Sequence, residues 1–97
     1  MSTKLFWNYG HFTTQQTFQV MHLDETGEST TEYFSCTSAD LNDVVDYMTR
    51  IIASTNVDEI MVRNENYTYL EPWINVLREK LISKNYSRAN DIIYRGI

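Results

Sequence analysis

The chain has too few cysteines for a disulfide and no apolar run long enough for a membrane. Its single cysteine, Cys36, has no second cysteine to pair with, which is typical of a reducing compartment. No apolar run approaches the ~20 residues that cross a bilayer, and the first residues lack the apolar core of a secretory signal. We therefore expect a cytoplasmic protein without a membrane segment.

Positive charge is missing from half of the chain. No lysine or arginine stands between Lys4 and Arg50. The first 49 residues contain one basic and seven acidic residues and carry −6, whereas the remaining residues carry +1. The seven acids are Asp24, Glu25, Glu28, Glu32, Asp40, Asp43 and Asp46. Because a nucleic-acid binder needs cations to neutralise phosphates, we expect no direct binding of nucleic acid.

The first part of the sequence predicts three strands. Residues 4–9 are aromatic and end at Gly10, which favours a first strand. Residues 17–23 and 30–36 both alternate in polarity, and the segment between them contains Gly27, which can supply the positive φ of a tight turn. These two segments predict a β-hairpin.

Two amphipathic helices and two further strands follow. Asp40 is a helix-start residue, and an apolar stripe runs after it to a helix end near residues 54–56. The stripe consists of Leu41, Val44, Val45, Met48, Ile51 and Ile52. Residues 57–63 predict the central strand. A second helix begins at the capping-box spacing of Thr68 and Glu71, with Pro72 in its first turn. Its apolar stripe is Leu70, Trp73, Ile74, Leu77 and Leu81. Asn85 is the predicted C-terminal cap, and residues 91–95 predict a last strand.

This order predicts a single α+β domain over residues 1–97. Three antiparallel strands, one alone and two in the hairpin, precede helix, strand, helix and strand in one mixed sheet. A helix between two strands usually makes a right-handed parallel crossover, so the last strands should be parallel. The order of elements resembles the ribonuclease H-like fold.

That resemblance implies carboxylates on the first strand, on the first helix and at the end of the fourth strand, where they hold two metal ions for phosphodiester hydrolysis. Here the first strand offers Asn8, and Asn64 stands near the end of the fourth. A neutral amide does not supply the charge that two divalent cations need. Only Asp43 or Asp46 of the first helix keeps a carboxylate in a matching region. The resemblance therefore implies a protein without the catalytic carboxylates, and we expect no enzymatic activity and no cofactor.

Histidine and cysteine offer little further chemistry. In the predicted hairpin, residue 22 lies opposite residue 30 or 31, which leaves Cys36 about 17 to 20 Å from His22 at ~3.3 Å per residue. The two side chains therefore cannot share a metal or form a nucleophile and base. We interpret Cys36 as a small buried apolar residue and His11 as an ordinary turn residue.

The acidic run admits two interpretations. The seven carboxylates create a negative field that attracts the basic groove of a nucleic-acid-binding protein. Alternatively, they are only the solvated face of a helix and the polar tip of a hairpin. Tyr67 and Tyr69, beside the second helix, form another candidate contact surface, since tyrosine is enriched at interfaces.

Function is therefore predicted as protein binding. The leading hypothesis is an inhibitor or adaptor whose acidic face occupies a basic surface of a nucleic-acid-processing partner. Its concrete form is a viral accessory protein, encoded by a phage and directed against host defence, because the composition favours residues with AT-rich codons. The alternatives are a metal-dependent phosphodiesterase of ribonuclease H-like fold and a homo-oligomeric structural protein that pairs through an edge strand.

Overall fold

A computed structural model describes residues 2–9, 15–38, 40–64 and 70–96 of the chain. Five strands and two helices occupy these residues. They are β1 (Ser2–Tyr9), β2 (Gln15–Leu23), β3 (Ser29–Thr37), α1 (Leu41–Thr55), β4 (Glu59–Asn64), α2 (Leu70–Ser83) and β5 (Ile93–Gly96). The predicted order of elements is confirmed. Neither helix in these ranges is long and apolar enough to cross a membrane.

The strands form one mixed sheet in the order β3-β2-β1-β4-β5. β2 is antiparallel to both β1 and β3, whereas β4 is parallel to both β1 and β5. The predicted division into antiparallel early strands and parallel late strands is therefore confirmed. The prediction that residues 57–63 form the central strand is wrong. The central strand is β1, which pairs with β2 on one side and β4 on the other, and β4 is its neighbour in the sheet.

One face of the sheet packs against both helices. Leu5 and Trp7 of β1, Phe18 of β2 and Ile60 of β4 are almost completely buried there. They belong to one apolar cluster with residues of α1 and α2, including Leu77. Burial alternates along β1 and β2, as the pleat of a strand requires. The core therefore lies between one face of the sheet and the two helices.

α1 follows its predicted pattern closely. The Asp40 carboxylate accepts a hydrogen bond from the backbone N–H of Asn42 at 2.8 Å and caps the helix. At the other end Asn56 adopts the left-handed conformation with φ 52°. Five residues of the predicted stripe are buried, namely Val44, Val45, Met48, Ile51 and Ile52. The polar cap and the apolar spacing together fix the limits of the helix.

α2 buries Leu77 and Leu81, and Asn85 follows it with φ 58°, which confirms Asn85 as the predicted helix stop. The predicted start of this helix lies partly in residues 65–69, outside the described residues. The last strand is shorter than predicted. Residues 87–91 form turns, Ile92 is buried, and β5 begins only at Ile93.

Candidate protein-binding edge

β3 is an edge strand of the sheet and is open to solvent. All nine residues of β3 pair with β2 in unbroken register on one side of the strand. No described strand pairs with the other side of β3. Every residue of β3 is exposed except Phe34 and Cys36, which are half-buried against the core. Tyr33 is 74% exposed. The strand therefore presents one free side of its backbone.

The register identifies which backbone groups point outward. The N–H of Asp24 donates to the carbonyl of Glu28 at 3.0 Å, which makes these two residues a hydrogen-bonded pair. Hydrogen-bonded and non-hydrogen-bonded pairs alternate in an antiparallel ladder. The even-numbered residues of β3 therefore bond to β2. The residues whose N–H and C=O point away from it are Ser29, Thr31, Tyr33, Ser35 and Thr37.

The hairpin turn at one end of β3 uses one of its acids for structure. The Asp24 carboxylate accepts hydrogen bonds from the backbone N–H groups of Thr26 and Glu28, each at 2.9 Å, and from the Thr26 hydroxyl at 2.7 Å. The Thr26 hydroxyl is the main reason that the pKa of Asp24 is lowered. Gly27 takes the predicted positive φ, 87°. Glu25 and Glu28 are exposed, and their carboxylates have no partner among the described residues.

Glu32 lies in the middle of the edge. Its carboxylate is 3.0 Å from Nε2 of His22, and Nδ1 of the same ring is 3.2 Å from the Thr3 hydroxyl. The Glu32 side chain nevertheless remains 57% exposed. His22 pairs with Thr30 and Cys36 with Gln16 along the hairpin. The predicted separation of His22 from Cys36 is therefore confirmed.

Two acids of α1 lie near the other end of β3. Asp40 is the helix cap, and Asp43 lies in the first turn with an exposed side chain. Burial raises the pKa of the Cys36 thiol, and the negative charge of Asp43 raises it further. Since β3 ends at Thr37 and α1 begins at Leu41, Asp43 lies within a few residues of the end of the strand.

Asp46 is paired with lysines from the second half of the chain. Its carboxylate is 2.8 Å from the ammonium of Lys80, in the last turn of α2, and 3.7 Å from that of Lys84, which follows the helix. The hydrogen bond from Lys80 is the main cause of the lowered pKa of Asp46. Sequence reasoning missed this pairing, because the lysines are more than 30 positions away and no local pattern connects them.

The available acids are therefore arranged along one edge. Glu25 and Glu28 lie at the turn, Glu32 lies at mid-strand, and Asp43 lies near the far end. Nine strand residues span about 27 Å at ~3.4 Å per step. The described cations lie elsewhere: Lys4 and Arg95 contact Glu59, Lys80 and Lys84 contact Asp46, Arg88 contacts Asp58, and Arg50 and Arg78 lie over tyrosine rings. None of these cations forms an ion pair with an acid of the edge.

Two predicted contact residues, Tyr67 and Tyr69, lie outside the described residues. The most exposed tyrosine of the edge, Tyr33, was not among the predicted site residues. Its place on the outward face of the predicted hairpin was the available signal, since an aromatic residue there has no core to enter.

The two asparagines of the family comparison lie at the ends of neighbouring parallel strands but not opposite each other. In the pairing of β1 with β4, Asn8 lies opposite Arg63, and Tyr9 lies opposite Asn64. Asn8 and Asn64 are therefore one step apart on neighbouring strands. Across the described ranges, no three His, Cys, Asp or Glu side chains form a group that could hold a metal ion.

Comparison with known proteins shows the fold. No protein-family model matches the chain, and no curated protein sequence matches it. Among solved structures, it is similar to T. thermophilus RuvC in complex with a Holliday junction substrate, with a TM-score of 0.58 and 6% sequence identity. The match covers 98% of this chain and 66% of that chain. The expected ribonuclease H-like fold is therefore confirmed.

Proposed function

We propose that this protein is a small acidic protein-binding module without catalytic activity, an inhibitor or adaptor whose β3 edge occupies a basic surface of a nucleic-acid-processing partner. One observation carries the proposal. Exposed carboxylates follow the open edge strand from end to end, and no lysine or arginine stands between Lys4 and Arg50 to neutralise them.

Such an edge competes with nucleic acid for the same partner. A groove that binds nucleic acid is lined with cations, and its field draws in any surface of opposite sign. Opposite charges on the two surfaces raise the rate of association, and the negative edge repels acidic partners. The four available carboxylates replace only a short stretch of phosphates, so specificity must come from additional contacts along the strand.

The absence of catalysis is proposed from the residues at the strand ends. In the family that the fold resembles, the first strand carries a carboxylate, whereas this chain has Asn8. The amide of Asn8 is neutral and does not balance the charge of divalent cations.

Charge reversal tests the binding proposal. Glu25→Lys with Asp43→Lys changes two unpartnered edge acids and raises the formal net charge from −5 to about −1. Glu79→Lys with Asp91→Lys makes the same change in charge at exposed positions on α2 and before β5. The immobilised proteins are exposed to a nuclease-treated bacterial lysate at low salt, and bound proteins are eluted with duplex DNA or with high salt.

We expect the wild type and the Glu79→Lys/Asp91→Lys control to retain a nucleic-acid-binding protein from the lysate. The Glu25→Lys/Asp43→Lys variant should not retain it, and duplex DNA should displace it from the wild type. Screening by salt should release it as well. Equal capture by both double variants contradicts the proposal, because the acids of the edge would then contribute nothing.

A metal-dependent phosphodiesterase is the second candidate, and the likeness to RuvC is the observation that favours it. A metal bound by the folded state raises the melting temperature by mass action. We expect melting curves in millimolar Mg²⁺ or Mn²⁺ to match those in EDTA. A rise that Asn8→Ala removes would place a metal at the strand ends and would favour the enzyme over the binding module.

A further inference from the structure

We propose that the partner supplies an extended basic segment that pairs with β3 as a sixth strand of the sheet. This inference rests on the proposed function, because it describes how the same edge would hold the partner. The segment would place lysine or arginine on the helix-covered side of the sheet, with two of these cations four residues apart.

The backbone of β3 provides the first argument. Five of its residues direct an N–H and a C=O away from β2, and only another extended chain can bond to such a row in register. Natural sheets usually protect long edges with charged side chains, above all lysine, with proline, with a bulge or with a covering element. β3 contains neither lysine nor proline, its register with β2 is unbroken, and its one charged residue, Glu32, opposes an acidic strand but not a basic one. The edge is thus suited to strand addition.

Charge decides the class of partner. A second copy of this chain would bring its own Glu25, Glu28 and Asp43 against the same acids, and like charges placed opposite each other disfavour strand pairing. A basic segment meets these carboxylates with opposite sign. Charge complementarity therefore favours a heterologous basic strand over self-association.

The spacing of the acids sets the pattern of the segment. Glu32 and Cys36 are four residues apart, so their side chains project from the same face of β3. Asp43, in the first turn of α1 directly after β3, lies near the Cys36 end of the strand, which gives two negative points about four strand residues apart. The matching cations stand at positions i and i+4 of the added strand. On the other face, the exposed ring of Tyr33 offers contact to an apolar residue between them.

Synthetic peptides test the pattern on the full 97-residue chain. The probe is Thr-Val-Lys-Val-Thr-Val-Lys-Val-Thr, with lysines at positions 3 and 7. The control, Thr-Val-Lys-Val-Thr-Lys-Val-Val-Thr, has the same composition but places its lysines on opposite faces of a strand. Binding is followed in ¹⁵N-¹H spectra during titration, and the signals of the β3 amides should shift when the probe binds. The probe should bind about two- to fivefold more tightly than the control peptide, which is the range for an exposed ion pair. Equal affinity, or no shift at β3, overturns the proposed segment.

Backbone substitution tests the pairing itself. Thr31→Pro and Ser35→Pro each remove an outward N–H while leaving the ladder to β2 intact. Thr31→Ala and Ser35→Ala measure the loss of the side chains alone. We expect each proline variant to bind the probe about tenfold more weakly than its alanine counterpart, since hydrogen bonds to an added strand are lost. Melting curves identify any proline variant that does not fold, and the comparison of the two peptides then decides.

The two proposals fail in distinguishable ways. If the proline variants capture the lysate partner as well as the wild type does, while the charge-reversed edge variant loses it, the acidic edge binds without strand addition. If neither set of variants affects capture, both proposals are wrong. If the wild type sediments as a dimer and Thr31→Pro as a monomer, a second copy occupies β3, and the basic segment is excluded.

Discussion

Removal of the Asp58 side chain should destabilise the protein substantially, because this carboxylate joins three parts of the chain. Its Oδ2 accepts a hydrogen bond from the backbone N–H of Thr3 at 2.8 Å, at the start of β1. Its Oδ1 accepts from the guanidinium of Arg88, which also donates to the carbonyl of Asn56 at 2.9 Å. Asp58 therefore holds β1, the turn after α1 and the loop before β5 together.

The magnitude follows from these contacts and their exposure. A hydrogen bond to a charged acceptor contributes about 1.5 kcal/mol at the lower end of its range. The Asp58 side chain is 40% exposed, so solvent screening limits the Arg88 ion pair to about 0.5 kcal/mol. We expect Asp58→Ala to lower the free energy of unfolding by about 2 kcal/mol and Asp58→Asn by about 1 kcal/mol, because the amide oxygen can still accept from Thr3.

Urea denaturation followed by circular dichroism measures these changes, with the exposed Asp91→Ala as the control. For a chain of this size, 2 kcal/mol corresponds to a fall of roughly 8 to 16 °C in melting temperature. A loss below about 0.5 kcal/mol for Asp58→Ala, within the range of ordinary surface substitutions, would refute the argument. Equal losses for the alanine and asparagine variants would refute the role of the Thr3 hydrogen bond.

Acid should remove the same contribution. The hydrogen bond from Arg88, and then that from the Thr3 N–H, hold the pKa of Asp58 below its usual value. The lowered pKa in the folded state means that the stabilisation is complete above the unfolded pKa, near 3.9, and is lost as the pH falls towards the folded value. The stability difference between the wild type and Asp58→Asn should therefore shrink below about pH 4. A difference that stayed constant down to pH 2 would contradict this.

The remaining predictions concern a cap, the core and the hairpin turn. Asp40→Ala should cost about 1 kcal/mol in urea denaturation through loss of the α1 cap, and retained stability would contradict that role. Leu81→Ala, at a fully buried position, should cost about 2 to 5 kcal/mol, whereas Ile82→Ala, 48% exposed, should change stability by less than about 0.5 kcal/mol. Gly27→Ala should cost about 1 kcal/mol from backbone strain alone, because φ is 87° and an added Cβ meets no atom within 4 Å. A neutral effect on the melting temperature would contradict this.

The parts of the fold that were predicted correctly depend on contacts between near neighbours. Alternating polarity and Gly27 determine the hairpin, and the Asp40 cap with its apolar stripe determines α1. In each case the residues that decide the conformation lie within about one element of one another. Hydrophobic periodicity records such short-range preferences directly. The predicted ribonuclease H-like order of elements followed from these local assignments.

The features that sequence reasoning missed depend on distant contacts. The ion pair of Asp46 with Lys80 requires α1 and α2 to be neighbours on one face of the sheet. The position of β1 in the middle of the sheet depends on the pairing of β1 with β4, more than 50 residues away. No local pattern encodes which strand will lack a second neighbour. The open edge at β3 therefore became visible only with the sheet order.

The sheet order also carries the uneven distribution of charge along the sequence over to the surface of the protein. β3 and β2 lie on one side of β1, whereas β4 and β5 lie on the other. The acidic half of the chain builds the first side and α1, and nearly all of the cations belong to the second half. Where the two halves meet, Lys80 neutralises Asp46. The acids of the β3 edge have no lysine or arginine partner among the described residues. Charge reversal there should therefore affect binding, whereas the same reversal at Glu79 should not.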